Sequence, residues 1–234
     1  MAFKNLDKMR ISQRPLDIIY VIDVSGSMYG DKIQAVNRAM HELETMLRAE
    51  ARKNPSAQVN VRILSFGGQT ARWHLKERTP VENFSYTDIN NADGGTPFGH
   101  ALGVLCDVLG SDKMPERGLK PIVILLSDGV PTDDYKDNLK RLGELPWGEK
   151  AIKIAIAIGK DADKNVLGEF TANRELVLEA NGATSLARFI RWTSTLITHS
   201  SQHANQGAAG PRVLKPDSIL TPDDDDELSD DKVW

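Results

Sequence analysis

Short apolar runs rich in β-branched residues recur along this chain, and stretches with helical periodicity separate them. The first run is Leu16-Asp-Ile-Ile-Tyr-Val-Ile22, with Gly26 and Gly30 close behind it. Its nearly continuous apolar character predicts a strand buried on both faces. Residues 59–66, 121–126 and 150–158 are runs of the same kind, and a last short strand lies near 176–178. Between the first two, Ile33, Val36, Met40, Leu43 and Leu47 mark a helix. Asp31 and Gln34 can form its capping pair, and Asn54-Pro55 ends it. Ala101, Leu105, Val108 and Leu109 mark a second helix, with Thr96 suited to its cap and Pro97 to its first turn. Further helices are predicted near 133–145, 163–171 and 185–199, and residues 71–75 can pair back along an edge. Strands alternating with helices specify an α/β fold. It is three-layer and doubly wound, with a mostly parallel central sheet, one short antiparallel edge strand and helices on both faces.

Charge divides the chain. The whole carries 29 Lys+Arg against 33 Asp+Glu, a formal −4, but residues 201–234 hold eight acidic and three basic residues. The first 200 residues are thus nearly neutral, with no electrostatic footprint for nucleic acid. The longest apolar runs have strand length, far below the roughly 18 residues of a membrane span. The opening Met-Ala-Phe-Lys-Asn-Leu-Asp-Lys lacks the apolar stretch of a secretory signal. Cys106 is the single cysteine, so neither an internal disulfide nor a cysteine zinc cluster can form. These features point to a soluble cytoplasmic protein.

In open α/β sheets, ligands bind at the carboxyl ends of strands where the strand order reverses. Asp23-Val-Ser25-Gly-Ser27 follows the first strand and Ser127-Asp128-Gly129 follows the run at 121–126. Between them in sequence comes Asp93-Gly-Gly-Thr96-Pro. Together they offer two carboxylates, Asp23 and Asp128, and three hydroxyls, Ser25, Ser27 and Thr96. An all-oxygen set of this kind suits a hard cation such as Mg²⁺. Taken singly, each segment is an ordinary cap or turn. Their joint occurrence at strand ends points to a metal site. Asp93, Asp133 and Asp134 can tune it from outside, although helix capping explains the last two equally well.

Asp23-Val-Ser25-Gly-Ser27-Met28, Gly95-Thr96-Pro97 and Ser127-Asp128-Gly129 resemble the metal-ion-dependent adhesion site of von Willebrand factor A domains, a Rossmann-like family. The resemblance covers residues 14–200, with 1–13 as an N-terminal extension and 201–234 as an acidic tail. It implies that Ser25, Ser27 and Thr96 are hydroxyl ligands and that Asp23 and Asp128 act largely through coordinated waters. It also implies that the first strand lies beside the one ending at Asp128. The implied ion is Mg²⁺, with Mn²⁺ or Ca²⁺ as alternatives, and the implied partner is a protein that supplies an acidic residue. The segments beginning Asn5-Leu-Asp-Lys-Met-Arg, Gly94-Gly-Thr-Pro-Phe-Gly99 and Ser127-Asp-Gly-Val-Pro-Thr-Asp133 resemble the bacterial cytoplasmic TerY-like branch associated with tellurite resistance. That branch implies a Ser/Thr kinase and a PP2C-like phosphatase as associates, in a stress or signalling system.

A binding module is therefore expected rather than an enzyme. The enzymatic alternative is a phosphotransferase of the haloacid-dehalogenase kind using Asp23 as nucleophile, but Ser25 stands where its acid/base aspartate belongs. Dinucleotide binding fails because the first turn lacks G-x-G-x-x-G. His41, His74, His100, His199 and His203 show no ligand spacing, and Cys106 reads as core. From His203 onward, Gly and Pro interrupt any pattern, which predicts a disordered tail. Asp223-Asp-Asp-Asp-Glu227 is open to three readings: a solvated extension, a dock for a basic partner surface, or an internal competitor for the metal site. Thr221 and Ser229 sit where a kinase could act, and Trp234 could be a hydrophobic anchor.

Overall fold

Six strands, β1 (Arg14–Asp23), β2 (Ala57–Gly67), β3 (Thr70–Pro80), β4 (Ile122–Ser127), β5 (Ile152–Ile158) and β6 (Val177–Ala180), form one sheet of order β3-β2-β1-β4-β5-β6. They are seen in a computed structural model that describes residues 13–90, 94–110, 112–202 and 234. All neighbouring pairs are parallel except β2–β3. β1 pairs with β2 from Arg14↔Ala57 to Asp23↔Phe66, and with β4 from Ile18↔Ile122 to Ile22↔Leu126. The chain builds outward from β1 to β3 and then returns to place β4 on β1's other edge. The strand order therefore reverses between β1 and β4, as expected, and their carboxyl ends lie side by side at the position where such sheets bind ligands.

Alternation within each strand sorts side chains into two cores. Leu16, Ile18, Tyr20 and Ile22 of β1, with Ile122, Ile124 and Leu126 of β4, face α1 (Asp31–Lys53) and α6 (Ala183–Gln202). Ile19 and Val21, with Val123 and Leu125, face the opposite core. There they meet α2 (Phe98–Leu109), α3 (Lys136–Glu144) and α5 (Lys164–Thr171), while the one-turn α4 (Pro146–Lys150) leads into β5. Burial on both faces is why these strands read as continuous apolar runs. Ile124 is fully enclosed in the central strand. Ile124→Ala is expected to cost about 2–5 kcal/mol, measured by denaturant unfolding. Cys106 lies in the α2 core, where burial pushes its thiol up to about 11.

The edge strand β3 is eleven residues long, not the short stretch that alternation at 71–75 marks. Its second half, Lys76-Glu-Arg-Thr-Pro80, carries no apolar inward residue, which is why periodicity misses it. Arg78 fills that role: its Nε donates to Asp17 Oδ2 at 2.7 Å, and the Asp17 side chain is 1% exposed. Asp17, the one charge inside the first apolar run, is thereby neutralised in the interior. Gly30, with φ +85°, is the N-cap of α1, so Asp31 lies inside the first turn rather than at the cap. Of the N-terminal extension only Gln13 is described. Of the acidic tail, 203–233 lies outside the described residues, with Asp223–Glu227, Thr221 and Ser229 in it. Trp234 donates its backbone N–H to Asn181 O at 3.2 Å and packs partly buried against the α1/α6 core.

Candidate metal centre

β1 ends on Asp23, which is completely enclosed. The chain then turns: Ser25 N donates to Asp23 Oδ1 at 2.8 Å, and Met28 N donates to Ser25 O at 3.0 Å across one 3-10 turn. The Met28 side chain is buried and pins this loop to the core, leaving Ser27 at the surface. β4 ends on Ser127, whose hydroxyl donates to Asp23 Oδ2 at 2.6 Å. Asp128 follows, with Oδ1 accepting from Ser27 Oγ at 2.7 Å and Oδ2 accepting from Lys32 Nζ at 2.5 Å. Ser25 Oγ and Ser27 Oγ lie 3.1 Å apart.

The third segment is stitched to the first two through its backbone. Gly26 N donates to Gly94 O at 3.1 Å, and Gly95 bridges Gly68 at the end of the β2–β3 hairpin. Thr96 N donates to Thr132 Oγ1 at 2.9 Å, while Thr96 O accepts from Phe98 N and Thr132 N. The Thr96 hydroxyl does not cap α2, contrary to expectation; Pro97 is the N-cap residue, with no side-chain cap bond. The Asp133 carboxylate satisfies that helix end instead, accepting from Gly99 N and His100 N at 2.8 Å each. Asp134 accepts from Lys136 N at the start of α3. Both aspartates thus serve helix ends, and Asp93 lies outside the described residues.

Thr96 Oγ1 and Asp23 Oδ2 converge on Gly129. A Cβ built there would stand 2.9 Å from the former and 3.3 Å from the latter. All five oxygen-bearing residues named from the sequence therefore meet at the carboxyl ends of β1 and β4. Three further residues complete the arrangement: Ser127 links the two strand ends, Thr132 orients Thr96, and Lys32 neutralises Asp128. Nothing in sequence spacing marks Lys32 or Thr132, whose partners lie 96 and 36 residues away.

Burial pushes the Asp23 carboxyl up to about 6, and the Asp128 charge adds to the rise. The hydrogen bonds from Ser127 and Ser25 pull against both. The donors are all oxygen, with two carboxylates and three hydroxyls, which fits a hard divalent ion. No cluster of three or more His, Cys, Asp or Glu able to hold a metal occurs among the described residues. An ion here would depend on hydroxyls and water for most of its shell. His41, His74 and His100 are engaged elsewhere, with Asp88, Thr87 and the Ala71 N–H.

A doubly wound sheet with oxygen-bearing side chains gathered at its order reversal defines the class: an α/β domain with a polar cluster where such folds bind ligands. The von Willebrand factor type A domain model matches residues 17–190, and the chain belongs to that family. It is 30% identical over 179 residues to the human inter-alpha-trypsin inhibitor heavy chain H6, covering 71% of this chain and 13% of that protein. The fold is similar to that of proximal thread matrix protein 1 from the mussel byssus, with TM-score 0.59 and 19% identity over 80% of this chain and 49% of that one. Another structure of that mussel protein has a zinc-occupied MIDAS motif, with TM-score 0.54 and 18% identity over 80% of this chain and 46% of that one. The chain thus spans a small part of its curated relatives and about half of the mussel protein. No helix among the described residues is long and apolar enough to cross a membrane.

Proposed function

We propose that this domain is a metal-dependent protein-interaction module. A divalent ion, Mg²⁺ or else Mn²⁺ or Ca²⁺, is held directly by Ser25, Ser27 and Thr96 and through waters by Asp23 and Asp128. A partner protein's acidic residue completes its shell. The observation that carries this reading is the convergence of two buried carboxylates and three hydroxyls at the carboxyl ends of β1 and β4. All four carboxylate oxygens already accept protein hydrogen bonds, which suits carboxylates that act on an ion through its waters. The zinc in the mussel structure places Zn²⁺ among the ions to test. The nucleophilic alternative for Asp23 is not favoured, since that carboxylate is fully enclosed and Ser25 replaces the needed acid/base.

Tyr29 and Val130, 78% and 62% exposed, are the large exposed hydrophobics of the described residues. Each lies two residues beyond a proposed metal-site residue, Ser27 or Asp128. Exposed apolar side chains beside a charged centre suit a partner whose acidic residue is flanked by apolar ones. Tyr29→Ala or Val130→Ala is expected to weaken partner binding about 3- to 10-fold and leave metal affinity unchanged, measured by calorimetry.

Within the same proposal the protein is a cytoplasmic, non-enzymatic adaptor of a TerY-like bacterial stress system, with a Ser/Thr kinase and a PP2C-like phosphatase as associates. The matches of the segments at 94–99 and 127–133 support it; the curated relatives are animal proteins. Capture of partners from a lysate with and without EDTA, read by mass spectrometry, tests the whole. Specific partners are expected only with the ion present, and tight capture that persists in EDTA would overturn the mechanism.

A further inference from the structure

Lys32 is the second residue of α1, where the positive end of the helix dipole disfavours a cation. Its side chain is nevertheless only 14% exposed, and Nζ lies 2.5 Å from Asp128 Oδ2, whose side chain is 2% exposed. Room for it is left by Gly159, at the end of β5 with φ +89°. A Cβ there would lie 3.2 Å from Lys32 Nζ and 3.4 Å from Cε. A surface role does not explain a lysine drawn inward against the helix dipole onto a buried carboxylate.

With the metal-dependent reading above as its premise, we propose that Lys32 is a resident cation that sets the charge of the site. It fixes Asp128 when no ion is bound and leaves the ion-bound centre positive. Two carboxylates and one ammonium carry a net minus one, and a divalent ion turns this into plus one. Without Lys32 the same states would be minus two and neutral. The ammonium therefore weakens ion binding by charge repulsion and strengthens attraction for an acidic partner once the ion is in place. It also keeps Asp128 turned toward α1 and Ser27, so that the carboxylate meets an ion at one remove.

The test uses the full chain and Mn²⁺ alone as probe. Calorimetric affinity and melting in EDTA are measured for wild type, Lys32→Met, Lys32→Gln and Lys32→Arg. Lys32→Met is expected to bind Mn²⁺ about tenfold more tightly. In EDTA it should melt about 3–8 °C lower, because Asp128 then lacks its counter-charge. Asp128→Asn added to Lys32→Met should recover most of that melting loss, and Lys32→Arg should behave as wild type. If Lys32→Met fails to fold, Lys32→Gln carries the affinity comparison. Unchanged or weaker Mn²⁺ binding in the neutral variants, with wild type binding normally, overturns the role of Lys32 alone. Absence of Mn²⁺ binding in wild type overturns the metal-dependent reading and this inference with it.

Discussion

Asp23→Ala is expected to lower Mg²⁺ or Mn²⁺ affinity at least about 100-fold and to abolish ion-dependent partner capture, while the domain stays folded. Asp23 is one of two carboxylates at the centre, and the other already faces Lys32. Without Asp23, no net negative charge remains to draw a divalent ion. The fold survives because a fully enclosed carboxylate, its pKa raised to about 6 chiefly by burial, contributes little stability as an ion. The substitution leaves Ser25 N and Ser127 Oγ without that acceptor, at a cost of about 1–3 kcal/mol each. A domain stability of roughly 5–15 kcal/mol can absorb that. Calorimetry with Mn²⁺, beside a circular-dichroism melt in EDTA, separates the two effects. Retention of affinity within about threefold of wild type would remove Asp23 from the mechanism.

Gly129→Ala should also weaken ion binding, although Gly129 offers no ligand atom. The added methyl would lie 2.9 Å from Thr96 Oγ1 and 3.1 Å from Thr96 Cγ2. Thr96 cannot retreat as a unit, since its N–H is held by Thr132 Oγ1 and its carbonyl by two amides. The side chain must rotate, which carries its hydroxyl away from Asp23. Ion affinity is expected to fall about tenfold or more, with only a small change in melting temperature. Gly143→Ala is the control: nothing lies within 4 Å of its added methyl, and it sits in helix α3. It should leave affinity untouched and stabilise the helix by about 0.5–1 kcal/mol. Equal ion affinity in the two variants would show that Gly129 has no steric part in the site.

The strands and the donor residues were legible because their causes are local. A strand covered on both faces must be apolar throughout, so β1, β4 and β5 stand out, and polar residues just beyond them mark the ligand edge. The less legible features depend on partners distant in sequence. The far half of β3 is held by Arg78 reaching Asp17, a charged pair that hides its inward position from any hydrophobic period. Thr96 precedes a helix and reads as its cap, yet Asp133 supplies the cap from 33 and 34 residues away. Ser127 is recognisable as part of a motif, but its bond to Asp23 appears only when β1 and β4 are adjacent. A lysine in a helix's first turn carries no sign that it will be drawn onto a buried aspartate.

The bonds that join the two halves of the centre span 101 and 104 residues of chain, from Ser27 to Asp128 and from Ser127 to Asp23. An unfolded chain cannot assemble such a constellation, so an ion that binds there acts on the folding equilibrium by mass action. At a hundred times its dissociation constant it would add about 2.7 kcal/mol to stability. For an ion so bound, the melting temperature would double as a gauge of its occupancy: a shift that rises with the logarithm of ion concentration ranks the ions before any partner is known.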